Sequence, residues 1–458
     1  MAKKLWGSRF QKKTNVLVDK FTSSISYDYR LAKYDILGSI AHATMLGKQK
    51  IIPVADANAI VKGLSIILKD VENGKFKPNF QAEDIHSNIQ ELLENKIGKA
   101  SERLHTARSR NDQIVLDIKL YLKDEVVVLA GGISCLQKSI LDFAKKNINV
   151  IVPSYTHLQV AQCVLLAHHL LAYIEFLERD KERIIDASKR IDSMPLGSCA
   201  LSGTGLNIDR EFVRKQLGFK SVTANSIDSV SDRDFVIEVL AGLSITAVHL
   251  SRIAEDLILW STKEFNFIDI DFSFCTGSSI MPHKKNPDVL ELIRGYTGNI
   301  IGDLSSVLVL MKGLPLSYNR DLQLDKPKLF DGIDTVKNML EILPQIFGNI
   351  KINKDVVAKR VMDESLFSVD VVEYLIRKGL SYRQAHDIVG KMVKDCLDKG
   401  KNISSLSNSD LKKYSDKFNP DVKKILNAWA SISLKISSGS TNPRLVSAQI
   451  RAWEKKLG

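Results

Sequence analysis

The chain has 458 residues, of which 44% are hydrophobic and 26% are charged, and its formal net charge is +12. A chain of this length is too long for a single hydrophobic core, so we expect two or three domains. The composition is that of an ordinary soluble globular protein. A basic chain raises the idea of nucleic-acid binding. The sequence has no arginine-rich arm, zinc-finger spacing or aromatic–basic interleaving, which argues against that class. Its scattered lysines instead favour an electrostatic field that attracts acidic small molecules.

The five cysteines lie far apart and form no C-x-x-C pair. That pattern predicts free thiols in a reducing compartment, without disulfides or structural zinc. The first residues carry charge but no apolar stretch after it, so a signal peptide is not indicated. No run reaches the roughly 18 apolar residues of a membrane span. We therefore expect a cytoplasmic protein that binds neither membranes nor nucleic acids.

In chain order, the apolar spacing predicts an all-α protein in three parts. Residues 1–106 show three short helical patterns and form a small amino-terminal domain. Residues 107–360 form a central domain of long helices, and residues 361–458 form a small carboxy-terminal domain. The one fair strand signal is Val150–Pro153, and no strand–helix–strand alternation occurs. The long helices are predicted at about Ala107–Lys145, Ala161–Ile191, Asp232–Thr262, Pro287–Lys312 and Lys328–Phe347, and the carboxy-terminal helices at Ser368–Arg377, Tyr382–Lys399 and Ser407–Lys413. Helices of about 55 Å belong to an elongated bundle, often one that continues into neighbouring subunits.

The first polar cluster is RLHTARSRNDQ, at Arg103–Gln113, where the first long helix begins. Seven of the eight residues from Thr106 to Gln113 are polar. A helix amino terminus offers free N–H donors, and arginine adds a forked donor for carboxylates. The alternative is an ordinary helix cap, but a cap needs one such residue. We favour an anion site.

The second cluster is SYTHLQ, at Ser154–Gln159, before another predicted long helix. Histidine is the residue type whose side chain ordinarily exchanges a proton near neutral pH, so His157 is a candidate acid or base. A single histidine is more often structural, so spacing alone leaves both interpretations open. No pair of histidines has metal-ligand spacing, and a metal is not indicated.

A third cluster, GSSIMPHKKNPDVLELIR at Gly277–Arg294, contains two prolines that rule out a continuous helix before Pro287. Lys284, Lys285 and Asn286 suit an anionic small molecule, whereas a solvated surface loop is the alternative. No G-x-S-x-G elbow surrounds Ser278, so hydrolase chemistry is not favoured. A fourth polar cluster, LSYNRDLQLDK, follows the next long helix.

GSSIMPHKKNP resembles the signature loop of the fumarase/aspartase superfamily. HTARSRNDQ, together with WGSRF, SISYD, EDIH, SYTHLQ and YNRDLQ, is similar to the argininosuccinate lyases in particular. The resemblance implies a three-domain fold around a long central helical bundle, with no cofactor and no metal. It also implies a homotetramer in which each active site gathers residues from three subunits. The family's reaction is the reversible elimination of arginine from argininosuccinate, which leaves fumarate and is the last step of arginine biosynthesis.

The resemblance also implies roles for single residues. Ser278 matches the base, and Lys284 and Asn286 match residues that hold the substrate carboxylate. His157 matches the acid, with Glu291 as its carboxylate partner, although acid and base can be assigned either way round. The remaining matches are the substrate contacts Ser24, Asn111, Thr156, Tyr318, Gln323 and Lys326, and the site-lining positions Asp28, Asp84, His86, Arg110 and Arg233.

The sequence departs from the family pattern at a few positions, none of them assigned to catalysis: Ser8, Gln90, Cys163, Cys199 and Leu324. Leu324 adjoins Gln323 and bears on the contacts made there. Two other functions stay open at this point. One is a different fumarate-releasing lyase, such as one acting on adenylosuccinate, against which HTARSRNDQ argues. The other is a non-catalytic structural homologue of the crystallin kind, against which the retained catalytic residues argue.

Overall fold

A computed structural model describes residues 14–458 of the chain, and WGSRF lies outside the described residues. The amino-terminal part is helical, as the sequence predicts. Asn15 and Asp84 cap the first and fifth helices by accepting a backbone N–H with their side chains. The helices are α1 (Val16–Thr22), α2 (Ile25–Asp28), α3 (Ala32–Lys48), α4 (Val54–Glu72) and α5 (Ile85–Ile97).

Long helices follow, and the longest has 37 residues, which corresponds to roughly 55 Å. The predicted bounds of four of the five long helices agree with the structure to within about three residues. The elements are α6 (Arg110–Lys146), α7 (Leu166–Ile191), α8 (Arg210–Gln216), α9 (Ser226–Ser231), α10 (Asp234–Ser261), α11 (Asp288–Met311) and α12 (Asp325–Gly348).

The exception is α7, which begins five residues later than predicted because a strand occupies the residues before it. β1 (Ile151–Thr156) and β2 (Gln159–Leu165) form an antiparallel hairpin. The β-branched and apolar residues of β2 satisfy their backbone groups by pairing with β1, which explains why the helical pattern does not extend to Ala161. Two further pairs of short strands complete the sheet structure: β3 (Ser193–Met194) with β4 (Ser221–Val222), and β5 (Ile268–Ile270) with β6 (Ile350–Ile352).

The carboxy-terminal part returns to short helices around an apolar cluster that includes Val371, Leu375, Val389, Met392 and Phe418. Its helix boundaries match the predicted ones to within one residue where predictions were made. The helices are α13 (Lys354–Arg360), α14 (Ser368–Arg377), α15 (Tyr382–Asp398), α16 (Asn408–Tyr414), α17 (Ala428–Ser433) and α18 (Pro443–Leu457). The all-α fold class is confirmed.

Internal contacts divide the described chain into two compact units. Unit 1 comprises residues 14–131, 181–246 and 297–337, and unit 2 comprises residues 132–180, 247–296 and 338–458. Each of the five long helices has residues in both units. The three-part division by sequence position stays a prediction.

Two helices, α6 and α10, are long and apolar enough to cross a membrane by length and composition alone. In their most apolar windows, 44% and 56% of the residues are buried inside the protein. The core helices of soluble proteins pass the same test, so this is weak evidence for a membrane. All five cysteines are free thiols, as predicted.

Close packing of α3 against α4 depends on a glycine. A Cβ atom added to Gly47 would lie 2.5 Å from the Cβ atom of Ala57, and neither atom can rotate away. We expect Gly47→Ala to lower the free energy of unfolding by about 1–3 kcal/mol, the usual cost of overpacking. Thermal unfolding monitored by circular dichroism measures this change.

Gly390 of α15 is the matched control, because a Cβ atom there meets nothing within 4 Å. We expect Gly390→Ala to raise the unfolding midpoint, since alanine favours the helix by up to about 1 kcal/mol. An unchanged or raised midpoint for Gly47→Ala would show that α3 and α4 can move apart without cost.

Candidate active site

In unit 1, the segment before α2 is tied to the start of α5. The Ser24 hydroxyl donates to Asp28 Oδ2 over 2.6 Å, and the backbone N–H of Ile85 donates to Asp28 Oδ1 over 3.2 Å. The Ser24 backbone N–H also donates to the carbonyl of Glu83 over 2.9 Å. The motifs SISYD and EDIH are therefore adjacent in the fold.

The start of α6 joins the same group of residues. Arg110 Nε lies 3.4 Å from Asp84 Oδ2, and Arg110 Nη1 donates to Gln113 Oε1 over 2.9 Å. One residue further on, Asn111 Nδ2 donates to the carbonyl of Ala200 over 3.0 Å. A guanidinium and a carboxamide are therefore carried by consecutive residues at the amino terminus of α6, and helix amino termini favour anions.

Asp112 explains why this turn holds its conformation. Its buried carboxylate accepts the N–H groups of Ser109, Gly197 and Cys199 over 3.0, 2.9 and 2.7 Å. Burial raises the pKa of Asp112 to about 6 in spite of these three hydrogen bonds. The carboxylate thus caps α6 and attaches the loop of Gly197 and Cys199 to it.

The fourth polar cluster reaches the same group. Arg320 Nη2 and Gln323 Nε2 both donate to the carbonyl of Thr22, over 2.7 and 3.2 Å. Burial raises the pKa of Tyr318 above its ordinary value. Lys326 is almost fully buried, and its Nζ donates to Asp325 Oδ1 over 3.0 Å.

The proximity of these groups shifts the pKa of two carboxyls. Burial raises the pKa of Asp28 to about 6, and the positive charges of His86 and Lys326 oppose that shift. Although burial acts against it, the charge of Arg110 lowers the pKa of Asp84 to about 2. Unit 1 therefore assembles one polar group, which we call the unit 1 cluster: Ser24, Asp28, Asp84, His86, Arg110, Asn111, Arg233, Tyr318, Gln323 and Lys326.

His86 has two buried carboxylates beside it that the sequence did not single out. Its Nδ1 lies 2.9 Å from Asp35 Oδ1 and 3.6 Å from Asp117 Oδ2. Among the described residues, these three side chains could hold a metal ion by distance, since their ligand atoms lie within 4.8 Å of one another. Burial and the Asp35 charge, however, raise the pKa of Asp117 well above its ordinary value, and the guanidiniums of Arg108 and Arg110 act on the same pocket. Neither oxygen of Asp117 has a hydrogen-bond partner among the described residues. The two nearby guanidiniums disfavour a cation at this position.

In unit 2, His157 lies at the tip of the β1–β2 hairpin, whereas the sequence placed it in front of a helix. Thr156 pairs with Gln159, and the two residues between them, His157 and Leu158, have φ angles of 55° and 56°. His157 is exposed and borders a cavity of about 610 Å³, whose walls include Tyr155, Leu158, His169, Asp256 and Trp260. The imidazole is therefore carried by a two-residue hairpin turn and is exposed at its tip.

The predicted Gly277 loop is also in unit 2. Thr276 and Asn286 close it by exchanging backbone hydrogen bonds of 3.0 and 2.8 Å. Inside it, Ser278 Oγ accepts the N–H groups of Met281 and Ile280 over 3.1 and 3.4 Å. The Asn286 side chain donates to the carbonyl of Gly277 over 3.3 Å. The loop is thus an ordered turn centred on the Ser278 hydroxyl.

The two lysines of this loop differ in their surroundings. Lys285 pairs with Asp269 over 2.8 Å and lies 4.1 Å above the ring of Phe272. Lys284 is exposed and has no ion-pair partner among the described residues. Its ammonium group is therefore the one available to a carboxylate ligand. Glu291 follows on the first turn of α11 and is exposed.

The predicted site residues thus form three groups. The unit 1 cluster is one, Thr156 and His157 at the hairpin tip are the second, and Ser278, Lys284, Asn286 and Glu291 are the third. In the part of the chain that the structure describes, no hydrogen bond or ion pair joins His157 to the third group. The sequence analysis assigned no role to Asp35, Asp117 or Asp325, although Asp325 lies within the fourth polar cluster. The first two were detectable only as charged residues within helical segments, a weak signal.

Comparisons with known proteins identify the family of the chain. A lyase family model matches residues 8–302, and an argininosuccinate lyase carboxy-terminal model matches residues 366–433. EDDS lyase, in a crystal structure with formate, superposes with a TM-score of 0.83 at 25% identity, over 96% of this chain and 88% of that one. The helical fold and these matches define a lyase of the fumarase/aspartase superfamily.

Two curated relatives narrow the class. Argininosuccinate lyase from Pelotomaculum thermopropionicum is 48% identical over 454 residues, which cover 99% of each chain. Argininosuccinate lyase from Geotalea daltonii is 50% identical over 447 residues, 98% of each chain. The chain belongs to the argininosuccinate lyase family.

Ionisation of the buried Asp28 side chain lowers the stability of the folded protein, and this effect depends on pH. Its pKa of about 6 in the fold, against an ordinary 3.8, means that ionisation destabilises the folded state above pH 6. That cost, on the order of 3 kcal/mol, fades as the pH falls from about 6 towards 3.8. We expect Asp28→Asn to raise the urea midpoint at pH 7.5 and to lose this advantage near pH 4.

Asp387→Asn, at an exposed position of α15, is the matched control and should change the midpoint little at either pH. An Asp28→Asn advantage of equal size at both pH values would contradict the electrostatic origin of the effect.

Proposed function

We propose that this chain catalyses the reversible elimination of arginine from argininosuccinate, leaving fumarate. The observation that carries the proposal is the unit 1 cluster, which contains the cations Arg110 and Lys326 and the carboxamide of Asn111. Cations and carboxamide donors of this kind suit a substrate with several carboxylates. The two curated relatives, which carry the name argininosuccinate lyase over nearly the whole chain, support the same substrate.

Ser278 is proposed as the base. It takes a proton from the carbon beside a succinyl carboxylate, and the electron pair moves into that carboxylate as an aci-carboxylate. A serine hydroxyl needs help to lose its proton. The N–H groups of Met281 and Ile280 point at Ser278 Oγ and favour its anionic form. Lys284 and Asn286 stabilise the charge that accumulates on the substrate carboxylate.

His157 is proposed as the acid, with Glu291 as its carboxylate partner. As the aci-carboxylate collapses, the carbon–nitrogen bond breaks and its electron pair goes to the guanidino nitrogen, which takes the proton from His157. Fumarate and arginine are the products, and no cofactor or metal takes part. The opposite assignment of acid and base to His157 and Ser278 uses the same atoms and stays an alternative.

The remaining residues of the unit 1 cluster, with Thr156, are proposed to hold the substrate. Ser24, Asn111, His86, Tyr318 and Gln323 supply hydrogen bonds, and Arg110 and Lys326 supply positive charge. Arg233 is fully buried, so it is proposed to act on the substrate through its neighbours.

We further propose a homotetramer in which each active site draws on three subunits. The support is the number of exposed apolar side chains on the long helices, because soluble monomers seldom expose large apolar areas. On α11 alone, Leu292, Tyr296, Leu308 and Val309 are between 45% and 67% exposed. Such an assembly brings residues of different copies together, and it works in the cytoplasm without membrane or nucleic acid.

The role of Ser278 can be tested with purified protein and argininosuccinate, by following fumarate through its ultraviolet absorbance. We expect turnover by the unmodified protein and a fall of about 10²–10⁴ in kcat for Ser278→Ala, the range of a lost general base. The neighbouring variant Ser279→Ala removes a hydroxyl without hydrogen-bond partners among the described residues and should stay within a few fold.

Absence of fumarate from argininosuccinate would refute the proposed reaction. Fumarate from adenylosuccinate alone would favour the sibling lyase, and no turnover of either substrate would favour a structural role. Near-normal turnover by Ser278→Ala would remove that residue from the mechanism.

If exposed apolar residues of α11 lie between subunits of the proposed tetramer, replacing one of them by a charged residue should separate the subunits. Val309 is 67% exposed, and Val309→Glu should lower the mass measured by light scattering and lower turnover with it. Ile436→Glu, at an isolated position that is 86% exposed, should leave a mass of four chains unchanged. A single-chain mass for the unmodified protein would refute the tetramer.

A further inference from the structure

Asp325 joins two cations in the unit 1 cluster. Its Oδ1 accepts from Lys326 Nζ over 3.0 Å, and its Oδ2 accepts from Arg233 Nε. All three side chains are shielded from solvent, with side-chain exposures of 1% for Asp325, 3% for Lys326 and 0% for Arg233. No other described carboxylate pairs with either cation, so Asp325 is their common anchor.

We propose that Asp325 is a positioning residue of the active site, which holds the Lys326 ammonium in place for a substrate carboxylate. The inference rests on the proposed function, in which Lys326 contacts the substrate. Asp325 itself touches neither substrate nor reacting atoms, because its two oxygens face Lys326 and Arg233.

The position of Lys326 in the chain shows why it needs an anchor. It is the second residue of α12, where the helix dipole disfavours a positive charge. Burial disfavours that charge as well. Asp325, the first residue of α12, is favoured by the same dipole and offsets both effects.

Arg233 supplies the second half of the arrangement. Its Nη1 donates to the carbonyl of Asp232 over 2.7 Å, which fixes the guanidinium, while its buried Nη2 has no hydrogen-bond partner among the described residues. Two cations share one carboxylate, so one net positive charge remains in the buried group. Tyr27, Asp28, Lys119 and Tyr318 are further titratable groups within electrostatic range of these three side chains. The surplus positive charge favours an anion, and the anion that enters this site is the substrate.

Replacing Asp325 should affect KM and kcat differently depending on whether the residue positions Lys326 or only stabilises the fold. If Asp325 acts through Lys326, losing either one weakens substrate binding in the ground state and the transition state alike, which raises KM and leaves kcat nearly unchanged. A structural pair would instead lower the amount of folded enzyme, and with it the apparent kcat, without a specific rise in KM. Residues that act as one unit also show non-additive effects.

The test compares KM and kcat for argininosuccinate in four proteins: the unmodified chain, Asp325→Asn, Lys326→Met and the double variant. We expect Asp325→Asn to raise KM roughly tenfold or more with kcat within about threefold. Lys326→Met should raise KM at least as much, and the double variant should match Lys326→Met alone. Multiplying effects in the double variant, or a loss confined to kcat, would overturn the proposal.

Asp334→Asn is the matched control, because Asp334 also lies on α12 and pairs with an arginine, Arg30, over 2.9 Å. It should leave KM and kcat near those of the unmodified chain. If Asp325→Asn does not fold, the double variant Asp325→Asn/Arg233→Gln avoids a lone buried guanidinium and should show the same rise in KM. An unchanged KM in that variant would equally overturn the proposal.

The same measurements separate this inference from the proposed function. An unchanged KM in Lys326→Met would show that Lys326 does not bind the substrate, so the proposed site would be wrong at that residue. A raised KM in Lys326→Met together with an unchanged KM in Asp325→Asn would leave the site intact and refute the positioning role alone.

Discussion

Buried carboxylates hold the polar part of this fold together. A carboxylate taken out of water must find hydrogen-bond donors or cations, because leaving it unpaired costs several kcal/mol. Asp28, Asp112 and Asp325 each accept a hydrogen bond from a donor that lies far away in the sequence. Asp28 joins α2 to α5, Asp112 joins α6 to the loop of Gly197, and Asp325 joins Arg233 to Lys326. Without these links, the motifs would be separate loops at the ends of helices.

Much of the fold could be predicted because it depends on local periodicity. Apolar residues at three- and four-residue spacing set the long helices, and helix ends at proline, glycine and polar caps set their bounds. The strand signal at Val150–Pro153 found the start of β1. Its partner β2 was missed because Gln159–Leu165 is short and apolar enough to suit either a strand or the first turn of α7. The choice depends on pairing with β1, which is a non-local contact that periodicity does not contain.

The candidate site was predictable in its residue types and less so in its geometry. Arg110, Asn111 and Lys326 stood out because polar runs interrupt apolar helices, and the structure brings them into one cluster. Asp325, Asp35 and Asp117 did not stand out, since a charge inside or at the start of a helix is usually solvated. Only burial, which the sequence does not display, turns such a residue into an anchor. His157 and Ser278 lie in separate groups of unit 2, and a site shared between copies is the proposed reason.

The positive φ angles at the tip of the β1–β2 hairpin lower the stability of the fold. Two-residue hairpin turns with positive φ at both positions favour Asn-Gly, because other side chains cost roughly 1–2 kcal/mol each in that conformation. Here the turn consists of His157 and Leu158, and Leu158 is 70% exposed, so burial does not compensate. Selection for heat resistance alone would therefore drive this turn towards asparagine and glycine. The turn is therefore less stable than an Asn-Gly turn would be, and the side chain at its tip is the imidazole of His157.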